Sequence, residues 1–251
     1  MPTTLERLFV LDLPVDLLTR DEALGRVAEA IAQRQALRVV TLNAEMAMQA
    51  QADAELAGII RDTGLVVPDG SGVVWALRRQ GRAVAKLPGI ELLETIAAAA
   101  AKHGWRVYFL GGKPGVADKA VETLCARYPG LCVAGARDGY FNADDEQAVI
   151  ETVRAAQTDI LLVALGVPRQ EKWIARHQSA LGVSVAMGVG GSFDVFAGTV
   201  KRAPAVFQKL HLEWLFRLMQ EPWRFQRMQS TLPRFVSEVL TRGERQPGGP
   251  T

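Results

Sequence analysis

The chain has 251 residues, of which 49% are apolar, and a formal net charge of +2. That length suits one large α/β domain with an appendage, and that apolar content supports a sizeable core with disorder expected only at the ends. The near-neutral charge argues against a general nucleic-acid binder, and no apolar run approaches the roughly 20 residues of a membrane span. The distribution says more than the total. From Lys201 to Arg234 seven Lys or Arg stand against Glu213 and Glu221, a local charge of +5 that leaves −3 for the rest. A basic end on a faintly acidic body points to an anionic partner there. Cys125 and Cys132 are the only cysteines and are expected to be reduced packing residues. Acidic residues crowd the first thirty positions, so no secretory leader is expected there and a cytosolic protein is.

In chain order, Phe9 to Val15 is an apolar-rich strand candidate. Thr19 to Glu22 has the spacing of a capping box, and Leu24, Val27, Ala28 and Ile31 follow at helical period. Leu37 to Leu42 reads as a strand, after which Asn43 opens a helix. Thr41 and Asn43 therefore fall at a strand's carboxyl end, Asn43 as a helix N-cap, a ligand contact, or both. Leu65 to Pro68 is a short strand that runs into Asp69-Gly70-Ser71-Gly72, where Asp-Gly is most often simply a turn. Lys86-Leu-Pro-Gly-Ile-Glu91 precedes an alanine-rich helix. Arg106 to Leu110 is a strand leading into Gly111-Gly112-Lys113-Pro114-Gly115, a weak phosphate-loop signal that matches neither common glycine motif. Asp138 to Asn142 is a turn, with Tyr140 and Phe141 expected to pack.

The stretch from Asp159 to Asp194 organises the rest. Ile160 to Leu165 is wholly apolar, as a strand buried on both faces of a parallel sheet must be. Gly166 and Pro168 break it, a helix runs from Arg169 to Ala180, and Val183 to Val189 is a second buried run ending at Gly190-Gly191. Strand, helix and strand form a right-handed crossover, and ligands sit outside the carboxyl ends of such strands. Arg169, Gln170, Glu171, Ser192 and Asp194 are thereby expected to line a ligand site. The fold class is α/β, a Rossmann-like, doubly wound, mostly parallel sheet. Residues 1–200 form the catalytic domain, with a nucleotide-binding half at about 104–200. Residues 201–241 form a basic helical appendage, and 242–251 a disordered tail. Arg217, Arg224 and Arg227 interleave with Trp, Phe and Leu in the appendage, which suits either an anionic lipid surface or a helix packed on the body with solvated arginines.

Much chemistry is absent. The three histidines form no metal motif, no nucleophile elbow occurs, and no Asp-x-Asp triplet exists to hold a divalent ion on a diphosphate. A phosphorylated ligand would be neutralised by cationic side chains and backbone N–H groups. A nicotinamide-dependent oxidoreductase is the main enzymatic rival, weakened by the first glycine loop. A non-catalytic nucleotide-binding membrane scaffold is the other, and it leaves the polar residues at several strand ends unexplained.

Taken together, T-L-N-A-E at 41–45, P-D-G-S-G-V-V at 68–74, L-G-G-K-P-G at 110–115, D-G-Y-F, L-G-V-P-R-Q-E-K-W, G-V-G-G-S-F-D, K-R-A-P at 201–204 and L-E-W-L-F-R-L-x-x-E-P-x-R at 212–224 occur in order. This succession resembles the WecG/TagA/CpsF family, glycosyltransferase family 26, over roughly residues 8 to 230. The resemblance implies an inverting glycosyltransferase without cofactor or metal. It would move a sugar from a UDP-sugar to a polyprenyl-diphosphate-linked sugar, peripherally on the cytoplasmic face of a bacterial membrane, in cell-surface polysaccharide synthesis. UDP-glucose and UDP-N-acetylmannosamine or its uronate remain open as donors, and the oligomeric state is open. By the same resemblance Asp69 is the catalytic base, while Thr41, Asn43 and Gln170 line its pocket. Asp194 lies in a segment implicated in nucleotide binding, and Arg217, Arg224 and Arg227 lie near the acceptor diphosphate and the membrane. The family usually has Arg-Val-x-Gly-Ile-Asp where this chain has Lys86-Leu-Pro-Gly-Ile-Glu91. Lys86 still offers a cation to a phosphate, though not a bidentate fork.

Overall fold

The structure, a computed structural model, describes residues 6–204, 206–207, 213–220 and 224–242. The expected tail and the side chains of Arg217, Arg224 and Arg227 lie outside what is described. Six parallel strands form the central sheet. In chain order they are β3 (Leu37–Leu42), β4 (Leu65–Pro68), β5 (Arg106–Gly111), β6 (Cys132–Arg137), β7 (Ile160–Ala164) and β8 (Val185–Gly188), and across the sheet the order is β4-β3-β8-β7-β5-β6. This is the expected Rossmann-like α/β architecture.

Alternation along the strands sorts the helices into two layers. Val39, Val107, Phe109, Leu162 and Met187 face one core, closed by α1 (Arg20–Gln33), α5 (Gly89–His103), α6 (Val116–Arg127) and the short α9 (Ser192–Phe196). Val40, Leu42 and Val66 face the other side, under α2 (Ala44–Ala52), α3 (Ala54–Arg61) and α4 (Ser71–Arg79). Leu110, Leu161 and Val163 continue that side under α7 (Glu146–Ala155) and α8 (Arg169–Leu181). Each strand of the β7–β8 pair is thus apolar on both faces, which is why its sequence is a run rather than an alternation. The capping box forms as expected: Glu22 N–H donates to Thr19 Oγ1, and Thr19 N–H to Glu22 Oε2 at 2.7 Å.

The N-terminal strand differs from expectation. Phe9 to Val15 is not one strand but part of a hairpin, β1 (Glu6–Val10) and β2 (Leu13–Leu17), turning at Leu11 and Asp12, both at positive φ. Two-residue turns of this kind favour Asn-Gly, so Leu-Asp carries no local signal. Side chains from elsewhere hold it: Gln51 Nε2 donates to the Leu11 carbonyl and Arg61 Nε to that of Asp12. The hairpin covers the exposed edge of β4. Asp16, fully buried, accepts from Arg7 at 2.6 and 3.0 Å and from the Val66 backbone N–H at 2.8 Å. That carboxylate satisfies an edge-strand donor that would otherwise be orphaned.

The C-terminal helices are α10 (Glu213–Gln220) and α11 (Arg224–Arg242). Phe235 of α11 is 1% exposed and sits in the α2/α4 core, against the position where Gly72 has no Cβ. Arg242 donates to Gln51 and pairs with Glu238. Deleting the appendage would therefore open this core, and point variants probe it more cleanly. Asp16→Ala strands the Val66 N–H and is expected to lower unfolding free energy by about 1–3 kcal/mol, read by urea denaturation; an unchanged midpoint would refute the edge-cap role.

Candidate active site

The carboxyl ends of β3 and β4 lie side by side, because Val40 to Leu42 pair with Val66 to Pro68, and the ladder runs on with Asp69 N–H donating to Leu42 O at 2.8 Å. Thr41, Asn43 and Asp69 consequently share one edge. Asn43 is a helix cap, its Oδ1 accepting from Met46 N–H at 2.9 Å, and it remains half-buried rather than sealed. Asp69 is also half-buried and is followed by Gly70 at φ 85°, a conformation that suits glycine before α4. Gly70 lies against Asn43: a Cβ there would stand 3.7 Å from that of Asn43. Leu87 N–H donates to Pro68 O, which brings the Lys86 segment beside Asp69, and Gly89 packs on Thr41 so tightly that a Cβ would meet its Oγ1 at 3.0 Å. One carboxylate, one amide, one hydroxyl and one lysine segment thus gather at the same strand ends.

The second half of the edge is built by α8. Gln170 is 2% exposed; its Oε1 accepts from the backbone N–H groups of Gly166 and Gly190, each at 3.2 Å. It ties the loop after β7 to the loop after β8, with its amide turned inward. Its Nε2 donates to Glu171 Oε1 at 2.8 Å. Burial pushes the Glu171 carboxyl from its ordinary range up to about 7, and the Gln170 hydrogen bond pulls it only partly back. Asp194, half-buried on α9, accepts from Thr199 Oγ1 at 3.3 Å, and Ser192 Oγ is spent on the Val189 carbonyl. Since β8 pairs with β3, the Gln170 and Asp69 clusters belong to adjoining strands of one edge.

Between the ends of β5, β6 and β7 opens a cleft of about 610 Å³, lined by Lys113, Tyr140, Asn142, Leu165 and Arg169 among others. Here the aromatic pair separates. Phe141 packs as expected, 8% exposed, edge-on to Trp173 and 5.1 Å beneath the Arg169 guanidinium. Tyr140 does not: it is 70% exposed. Adjacent residues of an extended turn point oppositely, so only one of the two reaches the core. The glycine loop contributes shape rather than a full phosphate cradle, because the Gly112 N–H is taken by the Ala164 carbonyl at 2.9 Å. Arg169 donates to the carbonyls of Gly139 and Phe141 and braces the cleft wall.

Glu91 stands in the first turn of α5, two residues beyond Gly89. Its carboxylate pairs with Arg20 and, at 2.5 Å, with Arg202 of the K-R-A-P segment. A groove of about 800 Å³ beside it is lined by this Arg20–Glu91–Arg202 group together with Asp21, Glu94 and Lys102 among others. Among the described residues no three His, Cys, Asp or Glu gather as metal ligands, and no helix is long and apolar enough to cross a membrane.

A parallel sheet with polar residues gathered at its carboxyl edge, beside an open cleft, defines a ligand-binding α/β fold of the doubly wound kind. The profile of the Glycosyl transferase WecG/TagA/CpsF family matches residues 8–248, and the chain belongs to that family and is a hexosyltransferase. Relatives named N-acetylglucosaminyldiphosphoundecaprenol N-acetyl-beta-D-mannosaminyltransferase are similar over most of their length. The Bacillus spizizenii and Bacillus subtilis proteins are 36% identical over 203 residues, covering 80% of this chain and 78% of theirs. A Staphylococcus aureus protein is 35% identical over 204 residues, covering 81% and 79%.

The raised Glu171 carboxyl has a stability consequence. Its folded value exceeds its unfolded value, so the fold binds a proton the unfolded chain releases, and stability is lost as pH rises from about 4.5 through about 7. Glu171→Gln removes that loss: relative to the native chain it should gain up to about 3 kcal/mol between pH 5 and pH 8, with the difference level above pH 8. Denaturant midpoints of both proteins across that range check it, and a pH-independent difference would refute it.

Proposed function

We propose that the protein transfers a sugar, with inversion, from a UDP-sugar to a polyprenyl-diphosphate-linked sugar, and that N-acetylmannosamine is the sugar moved. The observation that carries the reading is the gathering of Thr41, Asn43, Asp69 and the Lys86 segment at one strand edge in a member of this family. The relatives' names support the donor and the lipid diphosphate.

In this reading the acceptor hydroxyl oxygen attacks the anomeric carbon while the bond from that carbon to the β-phosphate oxygen breaks. The proton passes to the Asp69 carboxylate, and the electron pair leaves with UDP. Lys86 and the appendage arginines, rather than a metal, offset the charge that develops on the departing diphosphate. Uridine occupies the cleft beside β5 and β7, where the exposed Tyr140 ring offers a stacking face. Asp194 and Gln170 act at the neighbouring loops. The sheet edge and the appendage meet the membrane from the cytoplasmic side, with Val236 and Leu240 exposed one turn apart on α11 beside exposed Arg234.

Acceptor-dependent UDP release across a panel of UDP-sugars, with a short-chain lipid diphosphate acceptor and EDTA present, tests the reaction. UDP-N-acetylmannosamine should be turned over in EDTA, and Asp69→Asn should keep donor binding while losing at least about 10²-fold in turnover. Release from UDP-glucose alone would replace the donor, and full activity of the Asn variant would remove Asp69 from the base role. For the membrane contact, Val236→Asp with Leu240→Asp should weaken sedimentation with anionic vesicles at least about tenfold, since two apolar side chains no longer enter the interface. Unchanged sedimentation would reject that face.

A further inference from the structure

Glu171 is buried in the first turn of α8 with no role in the reaction outlined above. It is 3% exposed, and its Oε2 has no hydrogen-bond partner. A carboxyl in such a place is costly unless something needs it. Its Oε1 receives Gln170 Nε2 at 2.8 Å. Gln170 in turn accepts, through Oε1, from Gly166 N–H and Gly190 N–H.

The amide of a glutamine is nearly symmetric in shape but not in chemistry: one end only donates and the other only accepts. With its nitrogen toward the two loops it would face two N–H donors with a third and hold neither. The Glu171 oxygen that accepts from the amide nitrogen on the far side reinforces the orientation the two loops require. The sheet makes room for the arrangement. A Cβ at Gly188 would stand 2.5 Å from Gln170 Nε2 and 2.8 Å from Glu171 Oε1, so the pair occupies the space that a side chain on β8 would fill.

We infer that Glu171 is a positioning residue: its carboxyl orients the Gln170 amide so that one oxygen clamps the β7 and β8 loops together at the ligand edge. The loops so held lead directly into Arg169 on one side and into Asp194 on the other. Loss of the acceptor leaves the buried Gln170 Nε2 without its partner, the amide is no longer held from the far side, and its grip on both glycine N–H groups and on the two loops loosens. The consequence for donor binding rests on the function proposed above; the clamp itself does not.

Hydrogen exchange on the substrate-free protein reads the clamp directly. In Glu171→Met the amides of Gly166 and Gly190 should exchange at least about tenfold faster than in the native chain, the loss expected for a net hydrogen bond. In Glu171→Gln, which keeps an acceptor oxygen without the charge, both should stay near native. Combined with Gln170→Met, Glu171→Met should add no further acceleration and should be no less stable than Glu171→Met alone, because an apolar pair leaves no polar group stranded. A single variant that fails to fold while the double variant folds is the strongest form of that coupling. Native exchange of the two glycines in the Met variant overturns the inference. So does a Gln variant that behaves like Met, and so do losses that add in the double variant, including a double variant that fails to fold. In the turnover assay the Met variant should raise the donor KM by on the order of 10- to 100-fold, with the Gln variant restoring it. Native KM alongside fast glycine exchange would leave the clamp standing and move the donor away from these loops.

Discussion

Burial of the sheet on both faces is the constraint from which the rest follows. Each strand of the β7–β8 pair has apolar neighbours above and below, so a polar side chain there would be desolvated without a partner. Polar chemistry is pushed to the strand ends, where backbone N–H and C=O groups also run out of ladder partners. The carboxyl edge therefore collects Asn43, Asp69, Gln170 and Asp194; the first three are tied into the backbone around them, and the Asp194 carboxylate accepts from the Thr199 hydroxyl. Function and fold share these residues: Asn43 caps a helix on the same edge where a sugar would sit, and Gln170 closes a loop pair.

The edge is organised in two clusters joined by the pairing of β3 with β8. The Asp69 cluster is set by short backbone links, with Leu87 on Pro68 and Asp69 on Leu42, so the approach of the Lys86 segment does not depend on long side chains. The Gln170 cluster is set instead by a buried side-chain relay. A backbone-positioned acid suits a base that must meet a hydroxyl at hydrogen-bond distance. A side-chain clamp suits loops that must stay joined at the ligand edge.

The appendage is bound at both ends of its described length. Arg202 reaches Glu91 on α5, the Gln220 side chain pairs with the Lys201 backbone in both directions, and Phe235 enters the core beside Gly72. Its last helix thus packs on the same α4 that begins after Asp69-Gly70. The last helix of the appendage and the Asp69-Gly70 turn are therefore linked through α4.

The buried strands, the capping box, the glycine breaks and the place of the polar residues at strand ends were legible along the chain, because each follows from a local period or a local steric rule. The ordered motifs that mark the family are local in the same way. The hairpin at Leu11 and Asp12 was not legible, since its turn is held by Gln51 and Arg61, forty and forty-nine positions away. Nor was the split between Phe141 and Tyr140, the pairing of Glu91 with Arg202, or the inward turn of Gln170 toward Glu171 and two glycines. Burial, ion pairing and amide orientation depend on what arrives from other strands and helices, so only the tertiary structure decided them; the sequence by itself determined which segments would form the sheet and where its polar edge would lie.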